Sequence, residues 1–460
     1  MKALRGLIPG LTPRSTPGPL PGLTLSVMLG FALGLTQYPC AAQAPAPLPA
    51  PAQTLERELA SIAFDPANTL ASLSVLAIRA GKISYQGQFG LRHIDPAVPA
   101  EPATLYRIAS ISKMMTTIGL MKLIEEGKLS LDADAGTYLG FALRNPHFPD
   151  RVITLRMLLT HTSSLRDEAG YSWPNATALK DVLQPGAKLY GNGAAWGANA
   201  APGAYFSYCN LNWGVIGTIM EAVSGERFDR LMQRLLLEPM GLRGGFNPAE
   251  FAPAELADLA TLYRKRGVDT EIWDSRGPWI AQVDDYRTRP PQPPPGLDRY
   301  VLGSNATPFS PTGGLRISAA DMGAIMLMLM NGGQHQGRQI LRASSIATMF
   351  AIQWTADGQG ANGDTSRGLF NRWGLGNQQF PDLPGKTLVE GGGFAAVGHL
   401  GEAYGLLSVF AFDPLRKDGL VVLIGGSAAD PEREPGRYSA MPRFEERILT
   451  ALYRQAIATP

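Results

Sequence analysis

The sequence predicts an α+β protein whose sheet is assembled from both ends of the chain around a long helical insert. Three observations carry this. Strand-like runs lie near the start, at residues 73–78 and 83–89, and again near the end, at 403–412 and 419–424. Helical patterns dominate the stretch between them, and a further helical run, 442–456, closes the chain. Strands at the two ends with helices between them imply one sheet that both terminal parts build together.

The first 54 residues are read as processing and tether. Residues 23–36 are an uncharged apolar run about as long as the core of an export signal, with basic residues before it and small ones after it. The expected signal covers 1–42, cut after Ala42 or Ala44, and Pro45 disfavours the second site. A retained anchor is the alternative, although the run is short for a spanning helix. The Pro/Gly-rich stretch through Gly22 is long enough to leave the start codon open. Gln37-Tyr38-Pro39 lacks the small and aliphatic residues expected before a lipid-bearing Cys40. Residues 43–54 form an Ala/Pro tract and read as a semi-rigid tether. The folded body is then 55–460, exported and periplasmic, with no stable membrane insertion once the signal is cut.

Within that body, residues 55–63 are a first helix, and Ala80-Gly81-Lys82 joins the first two strands as a hairpin. Residues 114–126 are rich in Met, Leu and Ile and run into Gly127, a helix stop. Helices follow at 155–159, 211–223, 227–237 and 319–330. Residues 273–308, rich in Pro, Asp and Arg, have little periodicity and are expected to form a long ordered loop that shapes a substrate site. Residues 413–418 bridge the last two strands, and Pro442 opens the closing helix.

Composition excludes several classes. Hydrophobic residues make up 45% and charged ones 17%, which fits a well-buried enzyme and not a disordered chain. Without Lys2, Arg5 and Arg14 of the expected signal, 38 basic side chains face 39 acidic ones, so no footprint for nucleic acid remains. Cys209 is the one cysteine outside the signal, so no internal disulfide is expected. The five histidines are scattered and no His-Glu-x-x-His or Cys/His cluster occurs, so neither a metal site nor a cofactor is expected.

Chemistry is concentrated in three segments. Ser110 and Lys113, at i and i+3, share one face of an apolar helix. Burial there disfavours the ammonium and frees a neutral amine to take a proton from the serine. About a hundred residues later, Tyr208 and Asn210 precede another apolar helix, and an extended segment would aim both side chains into one cleft. A phenol can shuttle a proton there and a carboxamide can bond a substrate amide. Cys209 between them would point away and pack. The third segment, Gly398-His399-Leu400-Gly401-Glu402, places glycines where a ligand approaches a strand closely.

In this order and spacing the segments resemble the serine β-lactamase and penicillin-binding protein superfamily. The resemblance is to the branch of class C β-lactamases, D-Ala-D-Ala carboxypeptidases and family VIII esterases. Its Ser-x-x-Lys, Tyr-x-Asn and Lys-Thr-Gly or His-x-Gly motifs stand here as Ser110 to Lys113, Tyr208 to Asn210, and His399 to Gly401. Residues 158–165, 239–242 and 311–315 resemble the family too. The resemblance implies a β-lactamase/transpeptidase-like fold: an antiparallel sheet flanked by helices, over about 55–109 and 367–460, packed on an all-helical part over about 110–366. It implies Ser110 as the nucleophile of an acyl-enzyme, Lys113 and Tyr208 sharing the proton transfers, and Asn210 orienting substrate. The oxyanion would be held by the N–H groups of Ser110 and Glu402. His161 would be structural.

Two departures bear on substrate. His399 stands where efficient β-lactamases carry a lysine, and a neutral imidazole is the weaker site for a carboxylate. Lys386-Thr387 is followed by Leu388 and does not restore the motif. Glu402, if it faces the cleft, would disfavour anionic β-lactams and tolerate neutral esters or amine-bearing peptides. The expected substrate is a small ester, amide or peptide. A D-amino-acid peptidase or weak β-lactamase would use the same residues, and a non-catalytic penicillin-recognising sensor is the alternative of another class. Oligomeric state is left open.

Overall fold

The centre of the molecule is the strand Ser72–Arg79, hydrogen-bonded on one side to Asp418–Ile424 and on the other to Lys82–His93. The computed structural model describes residues 50–458. The expected signal, 1–42, and residues 43–49 of the expected tether lie outside the described residues. Leu73 sits opposite Ile424 and Phe89, so the two ends of the chain meet in one sheet. That sheet has nine antiparallel strands. Beyond Asp418–Ile424 come Leu406–Asp413, Ala396–Ala403, Gln378–Phe380, Arg372–Trp373 and Trp354–Thr355; beyond Lys82–His93 comes Val98–Pro99.

Alternation along the central strands sorts their side chains into two cores. Leu73, Val75 and Ala77, with Leu420, Val422 and Ile424, pack under the terminal helices Ala50–Ala63 and Arg443–Leu452. Leu76, Ile78, Val421 and Leu423 face the other way, with helix Ala319–Met330 and the helical part. Strands covered on both faces read as continuous apolar runs, which is why they were visible in the sequence. The helical part centres on Ile111–Glu125 and Leu211–Ser224, both buried over most of their surface. Gly127, at φ 72°, ends the first and Gly225, at φ 69°, the second.

The fold is α+β as expected, with corrections in detail. The first helix starts at Ala50 and so takes in the end of the Ala/Pro tract. The expected strand 403–412 is one arm of a hairpin, Ala396–Ala403 and Leu406–Asp413, turning at Tyr404 and Gly405 with φ 57° and 88°. A two-residue turn with both φ positive matches the twist of paired strands. A Cβ on Gly405 would collide with the Tyr263 carbonyl. Trp354–Thr355 belongs to the sheet although it falls within 110–366.

The intervening part is also not all helical. Arg316–Ser318 pairs with Leu105–Arg107, and Leu262–Lys265 pairs with Trp279–Val283. The expected loop 273–308 therefore contains a strand, together with single helical turns at Leu297–Arg299 and Thr307–Phe309. Runs of three to five residues are too short to show a period. The helices 227–237 and 442–456 each begin as α and end as π, at Phe228–Met232 with Gln233–Leu237 and at Arg443–Leu452 with Tyr453–Ala458.

The ribbon Leu105–Arg107 with Arg316–Ser318 delivers the chain to Ser110, and it is pinned by a buried ion pair. Arg316 donates to both oxygens of Asp284, Nη2–Oδ1 at 2.7 Å and Nε–Oδ2 at 3.1 Å, and to the carbonyls of Gly314 and Phe246. Both side chains are almost wholly buried, at 6% and 0% exposed. Replacing Arg316 with Leu strands the Asp284 carboxylate. We expect a loss of about 3–5 kcal/mol, read from chemical denaturation; a loss below about 1 kcal/mol would contradict this account.

Candidate active site

Ser110 is the N-cap residue of helix Ile111–Glu125, and its hydroxyl does not cap the helix. The residue before it, Ala109, is held at φ 47°, a strained region for a residue with a Cβ. The bend is fixed from three sides: Ile108 N–H donates to Leu315 O, Ser112 N–H to Ala109 O, and Leu315 N–H to Ser112 Oγ. The serine is thereby lifted into a cavity of about 1020 Å³ between the sheet edge and the helical part.

Lys113 is fully buried one turn on. Its Nζ lies 2.9 Å from Ser110 Oγ, 2.8 Å from Asn210 Oδ1 and 3.1 Å from Thr312 O. The last two are oxygens with no proton to give. A neutral amine has two N–H bonds, and these two acceptors use both. Its lone pair then faces the Ser110 hydroxyl. Burial lowers the Lys113 pKa to about 7, against the opposing pull of Asp167. A large fraction is therefore neutral at neutral pH.

Tyr208 lies in the same cavity, clamped between His161 at 4.4 Å and Phe370 at 5.1 Å, with Trp373 at its edge. Burial raises its pKa above the ordinary tyrosine value, while a hydrogen bond with the Ser110 side chain pulls the other way. The phenol keeps its proton at neutral pH. His161 Nδ1 accepts from Cys209 N–H at 2.9 Å, and burial together with Lys113 holds its pKa far below the usual range. It is a neutral prop for Tyr208.

Asn210 is tied on every side. Oδ1 accepts from Lys113 and from Thr312 Oγ1, while Nδ2 donates to Asp167 Oδ2 at 2.9 Å. One N–H is left for a substrate. Asp167 also accepts from the N–H groups of Asn210 and Leu211 and from the Cys209 thiol. Its charge thus sits at the N-terminus of helix Leu211–Ser224, where anions are favoured. Cys209 is buried, and burial followed by Asp167 pushes its thiol well above the normal pKa. It packs, as expected.

His399, Gly401 and Glu402 lie on the strand Ala396–Ala403, which lines the cavity. Gln378–Phe380 pairs only with Ala396 to Gly398, so the edge from His399 onward is free to take an extended substrate. A Cβ on Gly401 would come within 2.6 Å of Ile108 O and 3.3 Å of Ser110 N. Glycine alone lets this edge approach the serine so closely. His399 is 2% exposed, its Nδ1 pairs with Leu400 O at 2.5 Å, and burial together with Lys113 lowers its pKa to about 3. It carries no positive charge at neutral pH.

All seven expected site residues therefore converge on one cavity or on Ser110 itself. Reading the sequence missed Asp167, Thr312, the aromatic Phe370 and the wall from Pro431 to Glu445. Thr312 lay inside a stretch already singled out, 311–315, but Asp167 carried no signal of its own. The loop 273–308 contributes only Thr307 and Pro308 to the lining, less than expected. Among the described residues no cluster suited to a metal ion occurs, and no helix is long and apolar enough to cross a membrane.

Residues 60–441 match the family described as Beta-lactamase. This chain belongs to that family. Its fold is β-lactamase-like. Among curated relatives, Protein flp of Staphylococcus aureus (strain N315) is 28% identical over 173 residues, covering 36% of this chain and 33% of flp. The match thus spans about a third of that protein. Among solved structures, the octameric penicillin-binding protein homologue from Pyrococcus abyssi superposes with a TM-score of 0.58 at 25% identity, over 81% of this chain and 73% of that one. A class C beta lactamase from Rhodobacter sphaeroides gives 0.58 at 19% identity, over 88% and 98%.

Asp167 acts on Lys113 through Asn210 and through charge. We expect Asp167→Asn to slow covalent labelling of Ser110 by a fluorophosphonate by about 10- to 100-fold, the usual result of a small misplacement. It should also shift the pH midpoint of labelling downward, because the opposing pull on Lys113 is lost. An unmoved midpoint would remove Asp167 from the site.

Proposed function

We propose that this family member cleaves ester or amide bonds of small molecules or peptides through an acyl-enzyme on Ser110. The observation that carries the reading is the placement of Lys113: a buried amine 2.9 Å from Ser110 whose other two contacts are both acceptors. In the first step Ser110 Oγ attacks the substrate carbonyl and its proton passes to Lys113 Nζ. The oxyanion is held by the N–H groups of Ser110 and Glu402, which border the same space. The bond to the leaving group then breaks, and that group takes its proton from Tyr208, which is replenished from Lys113. Water reverses these roles to release the acyl group.

The neutral His399 favours esters and uncharged amides over anionic β-lactams. Arg107, Arg264 and Arg367 also line the cavity, yet Arg107 is committed to Gly313 O, Ser310 Oγ and the Tyr404 ring. A D-amino-acid peptidase or weak β-lactamase would share these catalytic groups. A non-catalytic sensor has no need of the intact Ser110, Lys113 and Tyr208. Export to the periplasm, supported by the apolar run 23–36, belongs to the same proposal.

Intact-protein mass spectrometry after fluorophosphonate treatment tests the core of this. One adduct, absent from Ser110→Ala, is expected; no adduct on folded protein would reverse the reading. Labelling should rise with pH through a midpoint near 7, as Lys113 sheds its proton. No fall should follow within the normal tyrosine range, because Tyr208 titrates above it. Neutral nitrophenyl esters should be cleaved with kcat/KM at least about tenfold above a carboxylate-bearing cephalosporin, a difference of about 1.4 kcal/mol. A preference for the cephalosporin would make this chain a β-lactamase.

A further inference from the structure

We propose that the wall of this cavity formed by Glu445 and Glu402 is a cation subsite, which receives the ammonium of an amine-bearing substrate. It deepens the reading above, which it needs for cleavage but not for binding. Glu445 sits in the first turn of helix Arg443–Leu452, is 5% exposed and lines the cavity. Among the described residues its carboxyl has no hydrogen-bond or ion-pair partner.

The fold treats its other buried carboxylates differently. Glu446, the next residue, accepts from the N–H groups of Arg437, Tyr438 and Ser439 and from the Ser439 hydroxyl. Glu221 is met by Tyr300, Phe228 N–H and Gly303 N–H. A buried carboxylate without donors is costly, and Glu445 alone of these three is left facing the cavity. Its partner is supplied by what binds there.

Glu402 comes to the same cavity from the strand Ala396–Ala403, likewise without an ion pair among the described residues. Glu432 lines it as well. The charged group acting on Glu445 is Glu402; those acting on Glu402 are Glu432, Arg264 and Asp430. Arg264 lies over the Trp273 ring, 5.4 Å away, and makes no hydrogen bond to either glutamate. Among the described residues no group of three such side chains converges to suit a metal ion, whereas an ammonium needs only directed acceptors. Burial and the Glu402 charge raise the Glu445 pKa to about 8, so at neutral pH Glu445 keeps a proton in the empty cavity. An ammonium entering between the two carboxyls displaces that proton to solvent. The substrate class is therefore amino esters, amino amides or peptides with a free amine.

Calorimetric titration of the Ser110→Ala protein separates binding from turnover. The probes are D- and L-phenylalanine amide and 3-phenylpropanamide, which lacks only the amine, at pH 6.5. At least one amino amide should bind about tenfold or more tighter than the amine-free probe, and titrations in two buffers should show proton release. Adding Glu445→Gln should erase both effects; replacing an unpaired buried carboxylate should not cost stability. Equal binding of the three probes, no binding at all, or an amine advantage that survives Glu445→Gln would overturn the proposal. Cleavage of a neutral ester by the wild-type protein, measured alongside, reports separately on Ser110.

Discussion

Everything in this site follows from keeping one amine out of water. Lys113 is enclosed, so its charge is costly and its lone pair becomes available near neutral pH. That state needs two fixed acceptors and one facing hydroxyl. Asn210 and Thr312 supply the acceptors; Ser110 supplies the hydroxyl. Asn210 is in turn held by Asp167, and Thr312 by the turn that feeds the ribbon leading back to Ser110. The helix starts, the ribbon and the strand edge are arranged around this requirement.

The same requirement accounts for the glycine at 401 and the left-handed Ala109. In the proposed reaction Ser110, on a helix start, must be brought against a sheet edge that offers backbone N–H groups. The approach leaves no room for a side chain at 401, and the bend before Ser110 strains 109.

What could be read from the chain was what has a period or a fixed spacing. The central strands, the helices 211–223 and 319–330, and the pairings Ser110/Lys113 and Tyr208/Asn210 all have one. The short ribbons at Leu105–Arg107 and Leu262–Lys265 have none, and the turn at Tyr404-Gly405 lay at the start of a mostly apolar run, 403–412, that reads as one strand. Asp167 and Glu445 were invisible for another reason. An acidic residue looks like any other until the fold shows whether donors meet it: Asp167 is surrounded by them and Glu445 has none among the described residues.

The pairing of Leu73 with Ile424 bears on how this protein is made. The strand Ser72–Arg79 emerges early in synthesis but finds one of its two neighbours only when nearly the whole polypeptide is available. Sheets closed by such distant segments form slowly, since a long loop must be ordered before the contacts that reward it. Until then the apolar face of the first hairpin has no cover and is open to aggregation. The strand bearing His399 also arrives late, so the cavity around Ser110 cannot be complete in a nascent chain. Assembly of the cavity is thereby coupled to completion of the polypeptide.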